Sequence, residues 1–149
     1  MQDRIEKQIE IDAPVSRVWK ALTDHTAFSA WFGVELDGPF VAGRNSTGMI
    51  EKSCSGGSMA WNVAVKSIVP ERYFAFEWHP HAIDPAADYS QEKPTLVEFT
   101  LTPQDGGTLL KVTESGFGEI PEHRRAEAFR MNTRGWGAQM ENIKNYVGG

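Results

Sequence analysis

The sequence predicts an α+β fold: an antiparallel sheet with two short helices after the first strand and a long C-terminal helix. Three observations predict it. Apolar residues alternate at period two near the N-terminus, the same period recurs in segments broken by turns from Val34 to Leu110, and after Pro121 the period lengthens to three or four.

Residues 4 to 11 place Ile5, Ile9 and Ile11 on one face and Glu6, Gln8 and Glu10 on the other, the pattern of a half-buried strand. Asp12 is placed to cap a helix that opens with Ala13 and Pro14, and Val15, Val18, Trp19 and Leu22 follow at helical spacing. A second short helix carries Phe28, Trp31 and Phe32 and stops at Gly33. The stretches GPFVAGR, SCSGGS, VPER and QDGG then supply Gly, Pro or polar residues where an antiparallel meander must reverse. Between them Trp61, Val63 and Val65 share one face, as do Phe74, Phe76 and Trp78, then Val97, Phe99 and Leu101, then Leu110 and Val112. These faces are expected to line a common interior. The terminal helix presents Ala126, Phe129, Thr133, Trp136, Met140, Ile143 and Val147 over roughly seven turns. Gly135 and Gly137 each cost about 1 kcal/mol relative to Ala inside a helix, which leads to the expectation of close packing on the sheet there. Residues 79 to 95 exceed normal hairpin length and are expected to act as a lid.

The chain has 149 residues, read as one domain over 1–149, long enough to bury a core without disulfides or metals. With 40% hydrophobic and 23% charged residues it is a folding sequence, and a net charge of -5 argues against nucleic acid as a partner. The only cysteine, Cys54, has no internal partner and sits in a loop-like stretch, which fits a cytoplasmic protein and an unreactive thiol. No N-terminal apolar region and no run of ~20 apolar residues indicate export or membrane insertion.

Several stretches in order, IEIDAPVSRVWKALTD, WF, PERYFAFEW, GGTLLKVTESGF and a terminal helix containing GW, resemble the START-like (SRPBCC) superfamily. The chain is most similar to bacterial homologues of the C-terminal domain of the activator of heat-shock-protein-90 ATPase, from about Ile5 to about Tyr146. The resemblance implies a helix-grip fold, a curved antiparallel sheet of six to seven strands around a long C-terminal helix, with a cavity between sheet and terminal helix. That scaffold serves lipid carriers, hormone receptors, polyketide cyclases and cochaperone domains, so the site must decide function. The eukaryotic activator has a separate N-terminal domain that takes part in chaperone binding and has no counterpart in these 149 residues.

On this architecture Trp61, Phe76, Trp78 and Phe99 from the sheet meet Phe129, Met131, Asn132, Trp136 and Met140 from the helix, an apolar, adaptable lining for a small hydrophobic, lipid-like or aromatic ligand. Asn132 and Thr133 can offer ligand hydrogen bonds. Glu114 shares the parity of Leu110 and Val112 and therefore points toward the helix, as an acid, base or anchor, or as the partner of Arg130 or Arg134 in a salt bridge. His79 follows the inward-facing Trp78 and is placed to exchange protons at the cavity mouth. His79, His81, Asp84 and Asp88 lack the spacing of a defined zinc site, and no metal or cofactor is expected. The motifs of nucleophile elbows, P-loops, dinucleotide sites and zinc proteases are absent from the sequence. Three functions follow in order: a non-catalytic binding module; a cyclase- or hydrolase-type enzyme using Glu114 and His79 as catalytic residues; and a chaperone-interacting module. A monomer or weak homodimer fits each.

Overall fold

The period-two segments are strands of a single sheet. The structure, a computed structural model, describes residues 3–52, 57–80 and 88–148. Its strands are β1 (Arg4–Ile11), β2 (Val34–Leu36), β3 (Asn45–Lys52), β4 (Gly57–Val69), β5 (Tyr73–Trp78), β6 (Thr95–Gln104) and β7 (Gly107–Ser115). Its helices are α1 (Val15–Thr23), α2 (His25–Phe32) and α3 (Glu122–Val147), preceded by a 3-10 turn at Phe117–Glu119. The seven strands run in the order β1-β7-β6-β5-β4-β3-β2, every neighbour antiparallel. The six consecutive strands β2 to β7 pair as a meander, and β1 returns onto β7, which brings the first strand beside the last.

Turn chemistry sets the register that matters for the site. Asp105 and Gly106 both take positive φ, 49° and 81°, the backbone of a tight hairpin, and fix β6 on β7 with Val97 opposite Glu114. No bulge interrupts β7, so Glu114 keeps the inward parity of Leu110 and Val112. Among the described residues the one register shift falls in β4 between Val65 and Ser67.

Local details differ from expectation in three places. Asp12 does not cap α1, which starts at Val15 with Pro14 as its N-cap and no side-chain bond. The capping carboxylate is Asp24, which accepts from Ala27 N and opens α2, while Gly33 closes that helix in the left-handed region at φ 90°. On α3, Ala126 is exposed and Ala128 is buried with Trp136, Met140, Ile143 and Val147. The third difference concerns Gly135 and Gly137: a Cβ at either meets nothing within 4 Å, so they do not mediate a close approach to the sheet. Close approach occurs instead at Gly48, where a Cβ would stand 2.3 Å from the Glu35 carbonyl oxygen of β2.

The core lies between the concave face of the sheet and α1, α2 and α3. Phe28, Phe74, Phe76, Phe99 and Phe117 are completely enclosed there; Phe28 meets Phe40 edge to face and stacks on Phe32, whose ring in turn meets Trp61 and Trp136 edge to face. Cys54, His81 and Asp84 lie outside the described residues.

Candidate functional site

Where the ends of β5, β6 and β7 pass beneath α3, one carboxylate gathers four donors. Glu114 is fully buried. Its Oε2 accepts from Trp78 Nε1 at 2.8 Å and from Thr95 Oγ1, and its Oε1 accepts from Trp136 Nε1 at 2.8 Å and Asn132 Nδ2 at 2.9 Å. Strand register explains the convergence. Trp78 stands directly opposite Thr95, while Glu114 is one pair further along the face, opposite Val97. Asn132 and Trp136 are four residues apart on α3 and descend onto the same spot. A carboxylate offers about four lone-pair positions, and here protein donors occupy all of them.

The salt bridge anticipated between Glu114 and Arg130 or Arg134 is therefore not formed, because neutral donors take its place. A buried charge without such donors would be prohibitive; four of them replace the water it lost.

Beside this network opens a pocket of about 110 Å³ lined by Phe32, Trp78, Asn132, Gly135, Trp136 and Gln139. Asn132 gives one amide hydrogen to Glu114, and its Oδ1 has no partner among the described residues. Gln139 is committed on both sides, donating to the Phe32 carbonyl at 3.0 Å and accepting from Asn142 at 3.0 Å. Gly135 is the residue that leaves the rim open, since it has no side chain to project there.

Of the residues named as ligand-binding from the sequence, Trp78, Asn132 and Trp136 line this pocket. Trp61, Phe76, Phe99 and Met140 are buried within the core, where they pack on one another and on the helices. Phe129 packs edge-on against Phe117, toward the other flank of α3, and Met131 is exposed. Thr133 bonds back to the Phe129 carbonyl. Phe32, Gly135, Gln139 and Thr95 were missed. Thr95 had a readable signal, the same parity as Val97 and Phe99; the other three depend on how α2 meets α3.

His79 Nε2 lies 3.0 Å from the Glu92 carbonyl oxygen, on the connection between β5 and β6. That connection is clamped to the first turn of α3. Arg124, 9% exposed, donates through Nε and Nη2 to the Glu92 carboxylate and through Nη1 to the Pro80 carbonyl at 2.8 Å. Its guanidinium also lies over the Tyr89 ring, 4.8 Å from the centroid. Among the described residues no group of three or more His, Cys, Asp or Glu is arranged to hold a metal, and no helix is long and apolar enough to cross a membrane.

A seven-stranded antiparallel sheet gripping a C-terminal helix, with two short helices after the first strand and a polar cluster beneath the grip, defines a helix-grip domain. The chain belongs to the family described as Activator of Hsp90 ATPase homolog 1-like protein, whose model matches residues 12–148. No curated protein is significantly similar in sequence.

Solved structures share the fold. MLL2253 from Mesorhizobium loti is 26% identical with a TM-score of 0.73, over 97% of this chain and 96% of that one. The Aha1 dimer from Colwellia psychrerythraea is 18% identical, TM-score 0.71, over 98% and 96%. DynU16, a protein in the dynemicin biosynthetic locus, is 22% identical, TM-score 0.75, over 99% of this chain and 48% of its own, so the chain spans about half of DynU16's length.

Proposed function

We propose that the protein is a non-catalytic binding module for a small, planar, mostly apolar molecule that carries a hydrogen-bond donor, such as a phenol or an indole. The observation that carries this reading is the pocket beside Trp78 and Trp136 with the unpaired Asn132 Oδ1 on its wall. Its volume of about 110 Å³ is nearer the roughly 150 Å³ of a cavity that holds benzene than the roughly 300 Å³ at which drug-sized ligand sites begin. A ring-sized group therefore fits this pocket better than a whole lipid. The part of the 79–95 connection held by Arg124 at the first turn of α3 would act as the lid.

The catalytic alternative has less support. Every lone-pair position on Glu114 already faces a protein donor, and His79 is engaged by Glu92. Chaperone activation is supported by the family match alone, and the ATPase rate of the host chaperone with and without the protein tests it. A cytoplasmic location, favoured by the single cysteine, belongs to the same reading.

Calorimetry and tryptophan emission with indole, p-cresol and toluene test the binding. Indole and p-cresol are expected to bind saturably and perturb emission, with toluene weaker because it cannot donate to Asn132. Absence of heat and of any emission change at millimolar ligand overturns the reading.

A further inference from the structure

On the other flank of α3 lies a second concavity that the ring pocket does not use. It is open, about 570 Å³, and lined by Lys7, Phe129, Arg130, Thr133, Arg134 and Gly137 among others. Three of those side chains are cations, and among the described residues none of the three has an ion-pair or hydrogen-bond partner. Their isolation has identifiable causes. Arg130 and Arg134 are one helical turn apart on α3, and Glu114, the acid whose strand position brings it under this helix, is consumed by Trp78, Trp136, Thr95 and Asn132. Lys7 is the exception in β1: it shares the inward parity of Ile5, Ile9 and Ile11 and stands opposite Val112, on the face where the strand otherwise puts isoleucine. Lys7 is half-buried, so its methylenes cover the apolar face while the ammonium reaches the concavity. The protein as a whole carries a net charge of -5, which makes three uncompensated cations around one hollow a local reversal of sign.

Between these cations the floor is apolar. Phe129 is half-buried against Phe117, and Gly137 leaves its share of the space empty because no side chain is there to fill it. Cations over an apolar floor complement a small molecule with an anionic head and an apolar body, and a volume of about 570 Å³ lies within the range of small-molecule sites. Guanidinium pairs at this spacing suit the oxygens of a phosphate or a carboxylate.

We propose that the concavity between β1 and α3 is a binding site for an anionic amphiphile, with Lys7, Arg130 and Arg134 holding its phosphate or carboxylate and Phe129 contacting its apolar part. The site is separate from the ring pocket, and the two share no lining residue.

Amide NMR of the intact protein titrated with dodecyl phosphate below its micelle concentration, with dodecanol and inorganic phosphate in parallel, tests it. Saturable shifts are expected at Lys7, Thr133 and Gly137 with dodecyl phosphate, at least tenfold weaker binding of dodecanol and of inorganic phosphate, and weakening with added salt. Lys7→Met keeps the stem of the side chain and removes its charge, and Arg134→Gln keeps the length. Each is expected to weaken dodecyl phosphate at least fivefold with unchanged thermal midpoint. Equal affinity for dodecanol, insensitivity to both substitutions, or shifts confined to Trp78 and Trp136 overturns the proposal. A readout on phosphatidic acid vesicles separates sources: binding to vesicles without binding the monomeric amphiphile assigns the cations to a membrane surface and overturns the small-molecule site.

Discussion

Trp78 of β5 and Trp136 of α3 stack with their ring centroids 5.7 Å apart and 29° between planes, and each sends its indole N–H to a different oxygen of Glu114. This relationship makes the sheet-to-helix contact depend on a side chain that neither tryptophan touches in sequence. It also decides what replacement of the carboxylate does.

Glu114→Gln is isosteric and yet cannot satisfy the site. Thr95 can rotate its hydroxyl and Asn132 can turn its amide, but an indole nitrogen only donates. Each Glu114 oxygen faces one indole. Whichever way the glutamine turns, its NH₂ meets an indole N–H, so a loss of about 1–3 kcal/mol is expected. Glu114→Ala orphans all four donors and should cost more. Urea unfolding of both variants checks the order, and equal stability of Glu114→Gln and the parent contradicts it.

Gly135→Ala separates stability from binding. A Cβ there meets nothing within 4 Å, so the substitution gains about 1 kcal/mol of helix propensity and raises the melting temperature by about 2–4 °C. The same methyl enters the rim of the ring pocket. Indole binding is expected to weaken as the melting temperature rises, read by calorimetry and thermal unfolding on one preparation.

Arg124 ties two points of the β5–β6 connection to α3. Arg124→Ala leaves the Glu92 carboxylate, on a side chain 15% exposed, without its cation, and a cost on the order of 3 kcal/mol is expected. Amide hydrogen exchange should rise at residues 88–94 before it rises in β6. Uniform acceleration across the sheet would mean that the arginine supports the whole fold and not this connection.

Tyr73 supplies a pH signature. Burial first, and then the hydrogen bond and charge of Glu98, push its phenol from 10.0 up to about 12. Because the folded value is the higher one, the stabilisation is complete below pH 10 and is lost as pH rises from 10 toward 12. Absorbance of phenolate should show one of the three tyrosines titrating late, and Glu98→Gln should bring it back toward the ordinary value.

Alternation and helical periodicity were sufficient to place the strands, the two short helices and the long one, because those periods report directly which face of an element is wetted. They also put Glu114 on the inner face, since parity along β7 carries to its end without a bulge. They could not rank the aromatic residues. Phe76 and Trp78 have the same parity, and only the meeting of α2 with α3 makes one a core ring and the other a pocket wall. Gly135 and Gly137 read as a close contact in one dimension, because a helix glycine is costly whether it admits a neighbour or leaves a space.

Sequence by itself determined the order of strands and helices and the inward aim of the Glu114 carboxylate, both consequences of local period and turn chemistry. Tertiary structure decided what that carboxylate bonds, which rings border open space, and which cations remain unpaired. Those are matters of distance between elements remote in the chain, and parity specifies a face without specifying what the opposite face brings to it.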